Sequence, residues 1–126
     1  MRVISLDHLV LTVTDIDKTV SFYVDVLGMT RETFGADQRT ALRFGTQKIN
    51  LHLKGREFEP KSETPTPGSG DLCFLVSGFK DLAKHLAAHK VPVVSGPVAV
   101  TGTMGPMMSY YVRDPDQNLI ELSHYI

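Results

Sequence analysis

Apolar and polar residues alternate over residues 4–13, with Leu9, Leu11 and Val13 on one side and His8, Val10 and Thr12 on the other. That period predicts a half-buried strand. The period then lengthens: Ile16, Val20, Tyr23, Val24 and Leu27 recur at helical spacing. Residues 14–17 offer N-caps for that helix, and Gly28 a stop. Three short extended segments follow, 30–34, 39–44 and 48–54, joined by the turn-like Gly35-Ala36-Asp37 and Gly45-Thr46. The first half therefore reads β-α-β-β-β.

Residues 55–70 are rich in Glu, Lys, Pro, Ser and Gly and end in Thr64-Pro65-Thr66-Pro67-Gly68-Ser69-Gly70. They predict a linker rather than packed structure. Beyond them the pattern restarts. Segment 71–76 is a strand with Leu72, Phe74 and Val76 on one face, and Ser77 can cap a helix striped by Phe79, Leu82, Ala83 and Leu86. Residues 91–100 are extended but broken by Pro92 and Pro97, as an edge or bulged strand would be. Strands 107–112 and 118–124 complete a second β-α-β-β-β set. The expected organisation is one domain over 1–126, with a module at about 1–55, a linker at 56–70 and a module at about 71–126.

The two halves repeat with an offset of about 63 residues, which sets His8 opposite Asp71. Farther on, Ile49-Asn50-Leu51 lies over Ile120-Glu121-Leu122 once extra loop residues are allowed in the second half. Each half has one sheet and one helix, so one sheet face lacks a cover. Pairing two such sheets edge to edge predicts an α+β fold: a curved, incompletely closed mixed barrel with helices outside and a concave cavity.

Glu121 is the main anomaly in this pattern. It sits between Ile120 and Leu122, after the turn Asp114-Pro115-Asp116-Gln117-Asn118. A carboxylate on an enclosed face costs several kcal/mol unless a metal, a cation or a proton compensates. Composition narrows the partners. A net charge of −1 lacks the basic excess of an electrostatic nucleic-acid binder. The single cysteine, Cys73, forms no intrachain disulfide and fits a reducing compartment. No apolar run approaches the ~20 residues of a membrane helix. Residues 1–5 run into a strand pattern without signal-peptide architecture, so a cytoplasmic location is expected.

The chain resembles the vicinal oxygen chelate superfamily of glyoxalase I, fosfomycin-modifying enzymes, extradiol dioxygenases and bleomycin-resistance proteins. The residues that carry the likeness are Leu6-Asp7-His8-Leu9-Val10-Leu11-Thr12-Val13 with Asp15, then Ser21-Phe22-Tyr23 and Leu27-Gly28-Met29. At the far end they are Tyr110-Tyr111-Val112-Arg113 through Leu119-Ile120-Glu121-Leu122. Within the superfamily, Lys48-Ile49-Asn50-Leu51-His52, Glu57-Phe58-Glu59-Pro60-Lys61 and the stretch from Thr64 to Phe74 resemble the type called glyoxalase-domain-containing protein 5.

The resemblance implies a divalent metal ion held by the first and last strands of each half. His8 and Glu121 match the superfamily's ligand types at the first and final positions. Asp71 stands where the second half usually supplies His, and Asn50 where the first half often supplies Glu or Gln. His52, two residues on and of the same parity as Asn50, becomes a candidate ligand. His8, His52 and Glu121 form a two-histidine, one-carboxylate set that leaves positions open for water or substrate. Asp71 is then a fourth ligand or a hydrogen-bonding support. Imidazole and carboxylate together suit Zn, Ni, Co, Mn or Fe(II) without selecting one.

Each residue has a plainer reading. His8 can be a core histidine with a hydrogen-bond partner, Glu121 can pair with Arg43 or Arg113, His52 can be an exposed strand-end residue, and Asp71 can simply terminate the linker. His85 and His89 share a helical face but sit beside Lys84 and Lys90, which reads as solvated surface. His124 has the opposite parity to Glu121.

Two functions follow. One is a metal-dependent enzyme, glyoxalase-like lyase by first choice, in which the ion polarises a small oxygen-rich substrate and Glu121 or Asp71 acts as general base. The other is a ligand-sequestering protein of the bleomycin-resistance type. Members of the superfamily commonly pair, so a homodimer is expected, and a small molecule rather than nucleic acid or membrane is the expected partner.

Overall fold

The computed structural model describes all residues, 1–126, and divides into two compact units, Met1–Pro67 and Gly68–Ile126. In the first, strand β1 (His8–Val13) leads to helix α1 (Ile16–Ser21), then to β2 (Thr30–Phe34), β3 (Arg39–Phe44) and β4 (Gln47–Leu53). Asp15 caps α1, its carboxylate accepting from the Lys18 amide at 2.9 Å. The helix does not stay α-helical to its end. Over Phe22–Val26 it widens to π-helical hydrogen bonding before Gly28, at φ +73°, turns the chain.

The sheet order is β1-β4-β3-β2, with β1 parallel to β4 and the other pairs antiparallel. Leu11, Val13, Leu42, Ile49 and Leu51 share one face and are buried, with Val20 and Tyr23 of the helix also buried and the helix packed on β4. His8, Val10, Thr12, Ala41, Arg43, Lys48, Asn50 and His52 share the other face.

The second unit repeats the order with β5 (Asp71–Leu75), a 3₁₀ turn (Phe79–Asp81) running into α2 (Leu82–Ala88), then β6 (Ser95–Gly102), β7 (Gly105–Arg113) and β8 (Leu119–Tyr125). Its sheet order is β5-β8-β7-β6, again with one parallel pair, β5 with β8. Phe79 stacks on His124 at 4.0 Å and lies 5.3 Å from Tyr110, so the helical segment covers the face of Ile120, Leu122 and Val112, all fully buried. Glu121 and Cys73 belong to the opposite face, as do Ser109, Tyr111 and Ser123.

The fold is α+β, built from two βαβββ sets with mixed four-stranded sheets. Three local expectations change. The first strand begins at His8, not at residue 4. Gly78, in the left-handed region at φ +69°, precedes the second helical segment in place of a Ser77 cap, and Ala83 of the expected stripe is exposed. Part of the expected linker packs, because Phe58 sets its ring 5.6 Å from His52 and 4.2 Å beneath the Arg39 guanidinium. The proline-broken segment does form the edge strand β6, with a register irregularity between Ser95 and Val98.

Candidate functional site

The turn before β8 fixes Glu121 through backbone bonds. Asp114 is buried, and its Oδ1 accepts from the amides of Asp116 and Asn118, both at 2.9 Å. Its Oδ2 accepts from Asn118 Nδ2 at 2.8 Å. Asn118 Oδ1 in turn accepts from the Gly70 amide at 2.7 Å, and the Leu119 amide donates to the Gly70 carbonyl at 3.0 Å. The start of β8 is thereby clasped to the start of β5, which sets Cys73 opposite Glu121.

Glu121 is half-buried on the face away from the helix. Its Oε1 accepts from Ser109 Oγ at 2.7 Å and from Ser123 Oγ at 3.3 Å. The two serine oxygens lie 2.6 Å apart, and Cys73 Sγ lies 3.3 Å from Ser123 Oγ. Arg113 of the same unit does not pair with Glu121 but donates to the Gln117 carbonyl, and Arg43 of the first unit is held by both oxygens of Glu32. Burial first, and then the Glu121 charge and a hydrogen bond to it, push the Tyr111 phenol up, so it keeps its proton. Burial likewise pushes the Cys73 thiol up, with the nearby Glu121 and Asp71 charges adding to it against the Ser123 hydrogen bond. Cys73 is an unactivated thiol here.

In the first unit His8 is partly exposed, and its Nδ1 lies 2.8 Å from Asp7 Oδ2. An ionised carboxylate only accepts, so Nδ1 carries a proton, which in the neutral imidazole leaves the lone pair on Nε2. That bond is the main cause holding the Asp7 carboxyl below its ordinary range. Asn50 occupies the same face, and its Oδ1 is sealed from solvent without a hydrogen-bond partner. His52 is buried at 6 % exposure, and burial, reinforced by the Arg39 charge, pushes its imidazole down toward the neutral form.

The registers define which positions correspond. Val10 faces Asn50 in the first sheet as Cys73 faces Glu121 in the second, so Asn50 and Glu121 are equivalent, and His52 is equivalent to Ser123. His8 and Asn50 are diagonal neighbours across two parallel strands, as Asp71 and Glu121 are. His52 stands opposite Thr12, four residues along from Lys48, the partner of His8. At ~3.3 Å per residue that is about 13 Å along the strand. The first sheet therefore brings His8 next to Asn50 and does not bring it next to His52. Within neither unit do three His, Cys, Asp or Glu side chains gather as a ligand set.

His85 and His89 lie exposed with rings 4.4 Å apart, and His89 Nδ1 is 3.0 Å from the His85 carbonyl. Sequence reasoning missed Ser109 and Ser123. Ser123 was findable, since it shares parity with Glu121 two residues away. Ser109 needed the β7–β8 register.

Two βαβββ units, each with a polar sheet face opposite its helix, define the class, and the chain belongs to the Glyoxalase/Bleomycin resistance protein/Dioxygenase superfamily, whose model matches residues 5–122. It is 58 % identical over 126 residues to the Glyoxalase domain-containing protein RDO1 of Mycosarcoma maydis, covering 99 % of this chain and 70 % of that protein. It is 52 % identical to Virulence protein STM3117 of Salmonella typhimurium over 122 residues, 96 % of this chain and 84 % of the relative. The crystal structure of that Salmonella protein matches with a TM-score of 0.97 over the full length of both chains, at 51 % identity. An integron cassette protein from V. cholerae matches at 0.96 and 52 % identity, over 100 % of this chain and 98 % of that one.

Proposed function

We propose that this protein is a metal-dependent enzyme acting on a small oxygen-rich substrate, with glyoxalase-like lyase chemistry as the best-supported reaction. The observation that carries the reading is Glu121: a half-buried carboxylate that, within its unit, is held by hydroxyl groups and paired with no cationic side chain. Such a charge calls for a compensating cation.

The residue types, imidazole with carboxylate and amide oxygens, suit a divalent ion. His8 has its Nδ1 backed by Asp7, which leaves Nε2 as the ligand atom in the arrangement common at metal-bound histidines. Glu121 has Oε1 committed to the two serines and Oε2 free of them. Asn50 Oδ1 lacks any partner and is the better-placed oxygen of the first sheet, ahead of His52. Asp71 is the diagonal neighbour of Glu121 and serves as a further ligand or as a hydrogen-bond support. A divalent ion bound at Glu121 would supply a Lewis acid for a developing substrate oxyanion. Glu121 would serve as general base once substrate takes its place at the ion, with Tyr111, still protonated beside it, as a donor.

We place the protein in the cytoplasm as a homodimer. No helix is long and apolar enough to cross a membrane, and each sheet ends in two edge strands open to pairing.

Elemental analysis of protein purified without chelator tests the metal. Near-stoichiometric metal is expected, with a metal-dependent rise in Tm that Glu121→Gln abolishes. No bound metal, together with an unchanged thermal response in Glu121→Gln, would refute the enzyme reading. It would favour a ligand-sequestering protein, to which Asn50 at the position equivalent to Glu121 already lends weight.

A further inference from the structure

The hydroxyl groups beside Glu121 can be ordered by counting protons. A carboxylate accepts only, so the single Ser109 hydrogen goes to Glu121 Oε1, its shortest contact at 2.7 Å. Ser109 then has none left for Ser123, 2.6 Å away, so the one Ser123 hydrogen is shared between Ser109 Oγ and Glu121 Oε1, 3.3 Å from it. With that hydrogen committed, the 3.3 Å contact from Cys73 is closed by the thiol donating to Ser123 Oγ. Ser109 and Ser123 both direct their hydrogens toward Oε1, with Cys73 behind Ser123.

Both serines are fully buried, and each lies on a strand flanking or containing Glu121 at matching register. A buried hydroxyl has no water to turn to, so this order is the arrangement that satisfies all of them. The terminus of the chain is one oxygen of one carboxylate.

We propose that Ser109 and Ser123 are positioning residues, which hold the Glu121 carboxylate in one orientation, with Oε1 tied back to its own sheet and Oε2 offered to the ion. This rests on the reading of Glu121 as a metal ligand. In the first sheet the equivalent of Ser123 is His52, which makes no such bond to Asn50, so the device belongs to the second unit alone.

The test uses the full chain, with Zn(II) as probe, in Ser109→Ala, Ser109→Thr and the Ser109→Ala/Ser123→Ala double variant. Two quantities are read: the Kd for Zn(II) by calorimetry, and the ¹³C resonance of the Glu121 side-chain carboxyl in metal-free protein, assigned by its loss in Glu121→Gln. Removing support behind a metal ligand typically weakens binding by about 10–100-fold, and that loss is expected in the double variant. The carboxyl resonance moves with it, and Ser109→Thr, which keeps the hydroxyl, restores both. If the double variant does not fold, the Ser109→Ala and Ser109→Thr pair makes the same comparison.

An unmoved resonance in the Ala variants overturns the proposal. So does an unchanged Kd in them when Glu121→Gln abolishes binding. Should Glu121→Gln itself leave Zn(II) binding intact, the metal reading fails, and the orientation claim is decided by the resonance alone.

Discussion

On the helix-free face of the second sheet, polar side chains answer one another; at the equivalent positions of the first they do not. Glu121, Ser109, Ser123 and Cys73 form one connected hydrogen-bonded set. Asn50, which takes the place of Glu121, leaves its Oδ1 without a partner, and His52, which takes the place of Ser123, packs its ring against Phe58. One topology thus carries two kinds of surface. The second sheet ties its polar groups to a charge, whereas the first leaves Asn50 Oδ1 unbonded. A duplicated architecture need not duplicate its side chains; the two helix-free faces carry different polar sets.

The contrast extends to the connections that set each register. Strands β3 and β4 are joined by the two-residue turn Gly45-Thr46, with Gly45 at φ +53° as a type II′ turn requires. Strands β7 and β8 are joined through Asp114, whose buried carboxylate serves two amides and the Asn118 side chain. Breaking the second connection should be much costlier. Asp114→Ala is expected to lose about 2–4 kcal/mol of unfolding free energy, because bonds to a buried charged acceptor are worth more than neutral ones and their donors would be stranded. Thr46→Ala in the first turn should stay within about 0.5 kcal/mol. Urea unfolding of the two variants measures both, and equal losses would erase the distinction.

Opposite signs are expected at the next level. Ser109→Ala removes a donor from a satisfied set and should destabilise the metal-free protein by about 1 kcal/mol. Asn50→Leu replaces an unsatisfied amide with an apolar group of similar size, and should leave stability unchanged or raise it by up to about 1 kcal/mol. Thermal unfolding in the presence of chelator separates them. Destabilisation by both would show that Asn50 has a partner after all.

The smallest effect concerns His52. Its folded pKa is depressed, mainly by burial, so the unfolded chain takes up a proton more readily than the native protein. The stability this contributes is complete above the ordinary histidine pKa of about 6.5 and is lost as pH falls through the lower folded value. A Tm profile should therefore slope downward below about pH 6.5 in wild type and flatten in His52→Gln. Parallel profiles would remove His52 from the account. Glu57 and Glu59 pull the other way, which keeps the expected slope shallow.

Much of the architecture was readable from residue order. The alternation at Leu9, Leu11 and Val13, the helical recurrence of Val20 and Tyr23, and the restart at Asp71 all predict elements that form. Pro97 lies within the edge strand β6, whereas Pro92 precedes it. The widening of the helix over Phe22–Val26 had no sequence signal, since π- and α-helical backbones tolerate the same apolar stripe. At the candidate site, parity set His124 on the face opposite Glu121, whereas the pairing of Cys73 with Glu121 needed the register of β5 and β8. Parity could not rank Asn50 against His52. Both point the same way, and only the pairing of His8 with Lys48 shows which of them is its near neighbour. Ser109 was out of reach for the same reason: its partnership with Glu121 lies across a register set by Asp114 and Asn118.

The clasp between Gly70 and Asn118 has a kinetic implication. It closes across 48 residues of chain, and the parallel pair it initiates is among the last contacts a folding chain can afford, because loop entropy is lost before the contact repays it. The same holds for the parallel pair of β1 and β4. Each diagonal that unites candidate ligands, His8 with Asn50 and Asp71 with Glu121, crosses one of these late seams. A nascent or partly folded chain would therefore display hairpins without binding competence. In pulse-labelled hydrogen exchange, the β5 amides and those of β8 that bond to β5 should gain protection after the amides of β6 and β7.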